Sequence, residues 1–229
     1  MNIEIYQCIE GARQAKGVVV IIDVFRAYTL ECVLFSKNAK EIHPVGKLEQ
    51  AFAFKQEHPD WILFGERKGA MVQGCDYGNS PSAIAKLDFT DRILIHSTSA
   101  GTQGIVNAVH ADTILVASLA NAKATAAWIR REQPETVSLV AMGDAGIRPT
   151  EEDDLCAQYI RSLLLEESFP VVEKAQALRH GAGAKFFDPS TQHIFPREDF
   201  AYCIDVNKYN FAILYDMKRH ITIPKKMSL

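Results

Sequence analysis

Five consecutive β-branched residues, Val18-Val-Val-Ile-Ile22, run without interruption into Asp23 and, three residues on, Arg26. No other stretch constrains the chain as much. An apolar run of strand length with no polar alternation predicts a strand buried on both faces, as in parallel sheets covered by helices. The acid and the base then stand at its carboxyl end. In open α/β sheets ligands bind beyond the carboxyl ends of strands, so the pair stands where chemistry is usually found. The competing reading is a carboxylate that caps the next helix, with Arg26 in a surface ion pair.

The same design recurs along the chain. A helix over Ala27 to Ser36 leads to a short strand, Glu41 to Val45, and a helix from Leu48 to Gln56. The strand Trp61 to Phe64 ends in Gly65-Glu-Arg-Lys-Gly69, and the turn-rich loop Gly74-Cys-Asp-Tyr-Gly-Asn-Ser-Pro81 has the composition of a binding loop. A fourth strand, Arg92 to Ile95, runs into His96-Ser-Thr-Ser-Ala-Gly-Thr102 and a helix from Gln103 to Val109. Ala111 to Ile114 and a helix from Asn121 through Ile129 match the pattern of Ala39 to Ile42 and the helix after it, which predicts a strand-helix-strand-helix unit used twice. Val137 to Ala141 is a further strand ending in Met142-Gly-Asp-Ala-Gly146. Thr150-Glu-Glu-Asp153 has the pattern of a capping box and opens a helix through Leu165. Val171 to Phe187 is helical or irregular, and Tyr202 to Asp205 and Phe211 to Leu214 are expected as short strands at a sheet edge, where a homodimer could form. The expected architecture is a single α/β domain over residues 1–229: three layers, α/β/α, around a largely parallel or mixed sheet.

Composition narrows the function classes. Hydrophobic residues make up 48% and charged residues 23%, as in a soluble globular protein. The net charge is -3, with basic residues scattered, which argues against a nucleic-acid or polybasic membrane surface. No apolar run reaches membrane-spanning length and the N-terminus has no leader pattern, so a cytoplasmic protein is expected. The cysteines at 8, 32, 75, 156 and 203 are odd in number and lack a CxxC spacing, which fits reduced thiols. Walker, dinucleotide-binding and nucleophile-elbow motifs are absent.

Four strand ends carry chemistry. Asp23, Glu66, Asp144, Glu152 and Asp153 form a pool of hard ligands suited to Mg2+, which takes a few carboxylates together with a substrate phosphate. Acids in the first turn of a helix are also favourable through the helix dipole alone. Ser97, Thr98, Ser99, Gly101 and Thr102 offer hydroxyls and unhindered N–H groups to an oxyanion, or else cap their own helix. His96 is either a strand-end acid or base or a structural histidine.

With those residues in place, the chain resembles the 2-phosphosulfolactate phosphatase family, the Mg2+-dependent phosphatases of the coenzyme M pathway. The resemblance is carried in order by Ile22-Asp-Val-Phe-Arg-Ala27, Phe64-Gly-Glu-Arg67, Gly74 to Pro81, Thr98-Ser-Ala-Gly-Thr102, Ala117-Ser-Leu-Ala-Asn121 and Glu152-Asp153. Phe25, Tyr28, Lys68 and Ala100 depart from the residues expected at their places. The resemblance implies hydrolysis of the phosphate ester of a small 2-hydroxy acid. In that scheme Mg2+ is held by Asp23, Glu66 and one or more of Asp144, Glu152 and Asp153. Arg26, Arg67 and the Thr98–Thr102 backbone hold the phosphoryl oxygens, and Asn79, Ser80 and Asn121 orient the carboxylate or sulfonate. Asp23 as a nucleophile is the competing role, and a non-catalytic binder of small anions is the competing function.

Overall fold

The computed structural model describes residues 1–228. The chain opens with β1 (Asn2–Gln7), α1 (Cys8–Gln14), β2 (Gly17–Ile22), α2 (Ala27–Ser36), β3 (Glu41–Pro44) and α3 (Leu48–Glu57). It continues through β4 (Ile62–Arg67), β5 (Ala70–Met71), α4 (Pro81–Ile84), β6 (Ile93–Ser97), α5 (Gly101–Asn107), β7 (Ala111–Ala117) and α6 (Ala122–Glu132). It ends with β8 (Thr136–Ala141), α7 (Glu151–Leu165), α8 (Val171–Ala177), α9 (Arg197–Cys203), β9 (Phe211–Asp216) and β10 (Ile221–Lys226).

The apolar run that predicted a doubly covered strand is β2. Val18, Val20 and Ile22 enter one core with residues of α6 and α7, while Val19 and Ile21 enter a second core with residues of α2 and α5. Both faces of the strand are therefore covered. Side chains alternate across a strand, so only an unbroken apolar run can supply two cores at once. Burial of each of these residues contributes about 1.5–3 kcal/mol.

Ten strands form one mixed sheet in the order β1-β8-β2-β7-β9-β10-β3-β6-β4-β5, the helices completing a three-layer α/β/α arrangement. β2 lies between β7 and β8, parallel to both. β6 lies between β3 and β4, again parallel to both. The two repeated units thus exchange their first strands: each donates one into the gap between the second and third strands of the other. This exchange is the form the predicted repeat takes. The hairpin β9–β10 joins the halves, antiparallel to β7 on one side and to β3 on the other.

β2 and β6 are five ladder steps apart, about 24 Å if the sheet were flat. Yet a Cβ built on Gly101, just past β6, would stand 3.1 Å from Asp23 Oδ2, just past β2. The sheet therefore curls strongly, in the sense that strand twist favours, until these two carboxyl ends meet. A side chain at 101 would be tight, since the same Cβ would also come within 3.1 Å of Ala27 and 3.2 Å of Tyr28.

Several expectations change. Phe211 to Leu214 is a strand, but an interior one, because the hairpin fills the space between the two parallel halves. Its Phe211, Ala212 and Ile213 are buried, and it offers no edge for a homodimer. Tyr202 and Cys203 close α9, and Ile204 and Asp205 follow it; no strand forms there. Glu66 and Arg67 belong to β4, which continues into a tight hairpin with β5 through Lys68 (φ 54) and Gly69 (φ 81). β1, with Ile3 and Ile5 against the core, extends the sheet beyond β8. All five cysteines are free and buried.

The seating of α5 on β2 sets how closely the two ends approach. A Cβ on Gly104 would meet Ile21 Cγ2 at 2.4 Å and Met142 Sδ at 2.6 Å. Gly104→Ala is expected to lower stability by about 1–3 kcal/mol through overpacking, measured as a lower urea midpoint with an unchanged slope.

Candidate active site

Where the strand ends meet, a cavity of about 500 Å³ opens. Its floor is acidic. Asp23 follows β2, Glu66 ends the straight part of β4, and Glu152 and Asp153 lie in the first turn of α7; all four are buried. Two of them act as clamps. Asp153 accepts the N–H of Val24 and of Gly143, each at 2.8 Å, which binds the end of β2 to the turn after β8. Glu66 accepts the N–H of Ser99 at 2.6 Å and of Gly69 at 2.7 Å, which binds the hairpin to the end of β6. The pattern read as a capping box fails for this reason: Thr150 makes no side-chain cap bond, and Asp153 is drawn into the floor instead.

The other two carboxylates keep oxygens free. Asp23 Oδ1 accepts only a long bond of 3.3 Å from Ala27 N–H. Glu152 Oε2 is buried with no partner. Burial, reinforced by the charge of Glu66, pushes the Asp23 carboxyl up to about 7. Burial likewise raises Glu152, against the lowering field of Lys185, and raises Asp153 well above the usual carboxylate range. Like charges crowded in a desolvated floor favour either protons or a cation.

The rim is basic. Lys68, Arg148 and Lys185 all line the cavity. Arg148 pairs with Asp144 on the exposed turn after β8. Lys185 makes no ion pair among the described residues, and its ammonium lies 5.1 Å from the ring centre of Phe195, 5.4 Å from Phe25 and 5.8 Å from Phe186. Aromatic faces hold a cation without neutralising it, so its charge remains available to a ligand.

Arg26 is buried and lines the cavity, but its guanidinium is bonded within the protein. It donates to Asp199 at 2.8 Å, to Ile194 O at 2.9 Å and to Gly69 O at 2.6 Å. Asp199, fully buried in α9, also accepts from Ser80 Oγ at 2.8 Å, Ser82 Oγ at 2.6 Å and Ser82 N–H at 3.0 Å. One carboxylate thus ties the 74–81 loop, the β4–β5 hairpin and the segment before α9 around a single arginine, and Ser80 faces that hub. Such a buried pair holds geometry, because removing either partner would strand a charge in the core.

Of the residues singled out from the sequence, Asp23, Arg26, Glu66, Asn79, Ser99, Asp144, Glu152 and Asp153 line the cavity. Thr98 and Thr102 bond reciprocally, each hydroxyl accepting the other's N–H at 3.0 to 3.1 Å, which secures the start of α5. Gly101 touches Asp23 from behind. Arg67 lies outside the wall, donating to Ser97 Oγ at 3.0 Å and to the carbonyl of Glu66. Asn121 caps the turn after β7, accepting from Ser118 N–H at 2.9 Å. His96 is buried behind Asn79. Lys185, Arg148 and Asp199 are additions that no local pattern announces. The departures also have places: Tyr28 donates to Gly101 O at 2.7 Å, Phe25 packs edge-on against Phe186, and Lys68 and Ala100 line the cavity.

A curled α/β sheet whose strand ends enclose an acidic floor under a basic rim has the features of a hydrolase for small phosphoric monoesters. The chain belongs to the 2-phosphosulpholactate phosphatase family, whose model matches residues 4–218. It is 34% identical over 209 residues to a Bacillus subtilis (strain 168) protein named "Probable 2-phosphosulfolactate phosphatase", covering 89% of each chain. It is 33% identical over 168 residues to a Carboxydothermus hydrogenoformans protein of the same name, covering 73% of this chain and 69% of the relative. No helix among the described residues is long and apolar enough to cross a membrane.

The floor makes stability depend on pH. A carboxyl raised from 3.8 to about 7 on folding stabilises the protein fully below about pH 4, and that contribution is lost as pH rises through 7. In chelator, Asp23→Asn should therefore match the wild type near pH 4 and exceed it above pH 7, by up to roughly 4 kcal/mol. Thermal unfolding across that range checks the crossover.

Proposed function

We propose that the chain is a Mg2+-dependent phosphatase of a small 2-phosphohydroxy acid, 2-phosphosulfolactate being the substrate that the names of its relatives suggest, and that it works in the cytoplasm. The observation that carries this reading is the pair of incompletely satisfied floor carboxylates, Asp23 and Glu152, in a cavity that Lys185 lines without an ion-pair partner among the described residues.

The donor set fits the metal. Mg2+ is commonly bound through one or two carboxylates plus substrate phosphate, keeping waters, and needs no cage of protein ligands. Among the described residues no three acids, histidines or cysteines form such a cage. Asp23 and Glu152 would hold the ion, with Glu66 and Asp153 adding charge while they clamp the backbone. Asp144, exposed and paired with Arg148, is better suited to setting that arginine than to coordination. When bound, the metal supplies Lewis-acid neutralisation of the phosphoryl group and activation of a water.

The remaining steps fall to the chain's own residues. Lys185 faces the cavity with its charge intact, and Lys68 and Arg148 stand along the same rim. These cations suit the carboxylate and sulfonate, the two anionic groups such an ester carries beyond its phosphate. Asn79 lines the cavity as an uncharged donor placed for phosphoryl oxygens, while Ser99 gives both its N–H and its hydroxyl to Glu66. Burial of the floor strengthens each of these interactions and limits access of bulk water. Arg26 ties the loops around this arrangement through three of its five donors and, lining the cavity, leaves its Nε–H and one Nη2–H for phosphoryl oxygens.

Phosphate release from a panel of 2-phosphohydroxy acids should need Mg2+ and stop in chelator. Glu152→Gln and Asp23→Asn should each lower kcat by about 10²- to 10³-fold. Metal-independent release, or release that survives both substitutions, would overturn the assignment. Ligand binding without turnover on any ester would instead favour the small-anion binder.

A further inference from the structure

Behind the cavity wall, three polar side chains form a continuous line. Glu31 in α2 and His96 in β6 have no exposed surface, and Asn79, in the loop before α4, is 4% exposed. Glu31 Oε1 stands 2.9 Å from His96 Nδ1, and His96 Nε2 stands 3.0 Å from Asn79 Oδ1. The second carboxylate oxygen of Glu31 accepts the Thr222 hydroxyl at 3.0 Å from β10. Elements from both halves of the sheet and from the joining hairpin thus contribute to one buried network.

Hydrogen-bonding capacity links the ring's protons to the amide's orientation. A carboxylate only accepts, and so does an amide carbonyl. With the carboxamide turned as it is, both contacts are bonds only when both ring nitrogens carry hydrogen, so the orientation of Asn79 and the protons on His96 stand or fall together. The other charge bearing on the ring is Asp23, whose carboxyl the histidine's charge lowers, and the ionisable Tyr28 lies on the same helix as Glu31. A buried ion pair is costly to keep where apolar packing would serve, so a role in specifying geometry is the reason to look beyond the core.

That geometry reaches the cavity through Asn79. With its carbonyl turned back to His96, the carboxamide presents its two N–H donors to the space it lines; the opposite orientation would present an oxygen and repel an anion. We propose that Glu31 and His96 are positioning residues that hold the Asn79 carboxamide with its N–H donors toward the phosphoryl group. This role rests on the phosphatase reading of the cavity. No atom is transferred along the line, and its effect is to fix which end of one amide faces the substrate. In Glu31→Leu no carboxylate accepts from Nδ1, so Nε2 is no longer held as a donor. The amide is then free to turn its carbonyl to the cavity.

Two measurements test this. Nitrogen NMR of the wild-type protein should show both His96 ring nitrogens protonated, and needs no variant. Binding of inorganic phosphate with Mg2+ should be measured by calorimetry for the wild type, Glu31→Leu, Asn79→Ala and the double variant. Each single substitution should weaken binding about tenfold, the worth of one hydrogen bond to a charged group. The double variant should be no weaker than Asn79→Ala, because Glu31 acts through that amide. Additive losses, or a bare nitrogen on His96 in the wild type, would overturn the positioning role alone. A wild type that binds no phosphate would overturn the phosphatase reading and this role with it.

Discussion

Four carboxylates share a desolvated floor, and the surrounding structure is arranged to hold them there. Left to Coulomb repulsion, Asp23, Glu66, Glu152 and Asp153 would separate or neutralise. They stay because Glu66 and Asp153 are each fastened by two backbone N–H groups, one on Glu66 from its own hairpin turn and the other three from other elements. Those same bonds join the end of β2 to the turn after β8, and the β4–β5 hairpin to the end of β6. The acids that crowd the site are thus also the acids that close it, and Asp23 and Glu152 carry the unrelieved part of the charge.

Strand exchange explains how acids distant in sequence reach one place. Each repeated unit gives its first strand to the other, so the ends of β2 and β6 are embedded in opposite halves of the sheet. The inserted hairpin β9–β10 sets the spacing between the halves, and curling brings the two ends into contact at Gly101. Across the opening, the segment between α8 and β9 supplies what neither repeat contains: Lys185 with its aromatic surround, and Asp199, which grips Arg26. Asp23 and Glu66 stand at strand ends of the first half, Glu152 and Asp153 on α7 after the second, and Lys185 on the segment that follows α8.

Much of this was legible in the chain. The run Val18–Ile22 predicted a strand covered on both faces, because an element that feeds two cores cannot alternate. Strand-end acids marked Asp23, Glu66, Glu152 and Asp153. What could not be read locally was partnership. Arg26 reads as a free arginine at a strand end, whereas Asp199, far along the chain, holds part of its guanidinium. Asn121 and Thr98 look like binding groups, yet each is used by a neighbouring backbone N–H. Phe211 to Ile213 carried the missed signal for β9: three apolar residues in a row suit an interior strand better than an edge. The exchange of strands left no trace in local periodicity, since either pairing buries the same faces.

As proposed, the floor binds a cation, and without one its charge is balanced by protons. Calorimetric titration of Mg2+ into the metal-free wild type near pH 6.5, repeated in buffers of different ionisation enthalpy, measures affinity and proton release together. Binding accompanied by release of protons is expected, since the cation displaces those that Asp23 and its neighbours retain at that pH. Binding without proton release, or no binding at all, would contradict the proposal.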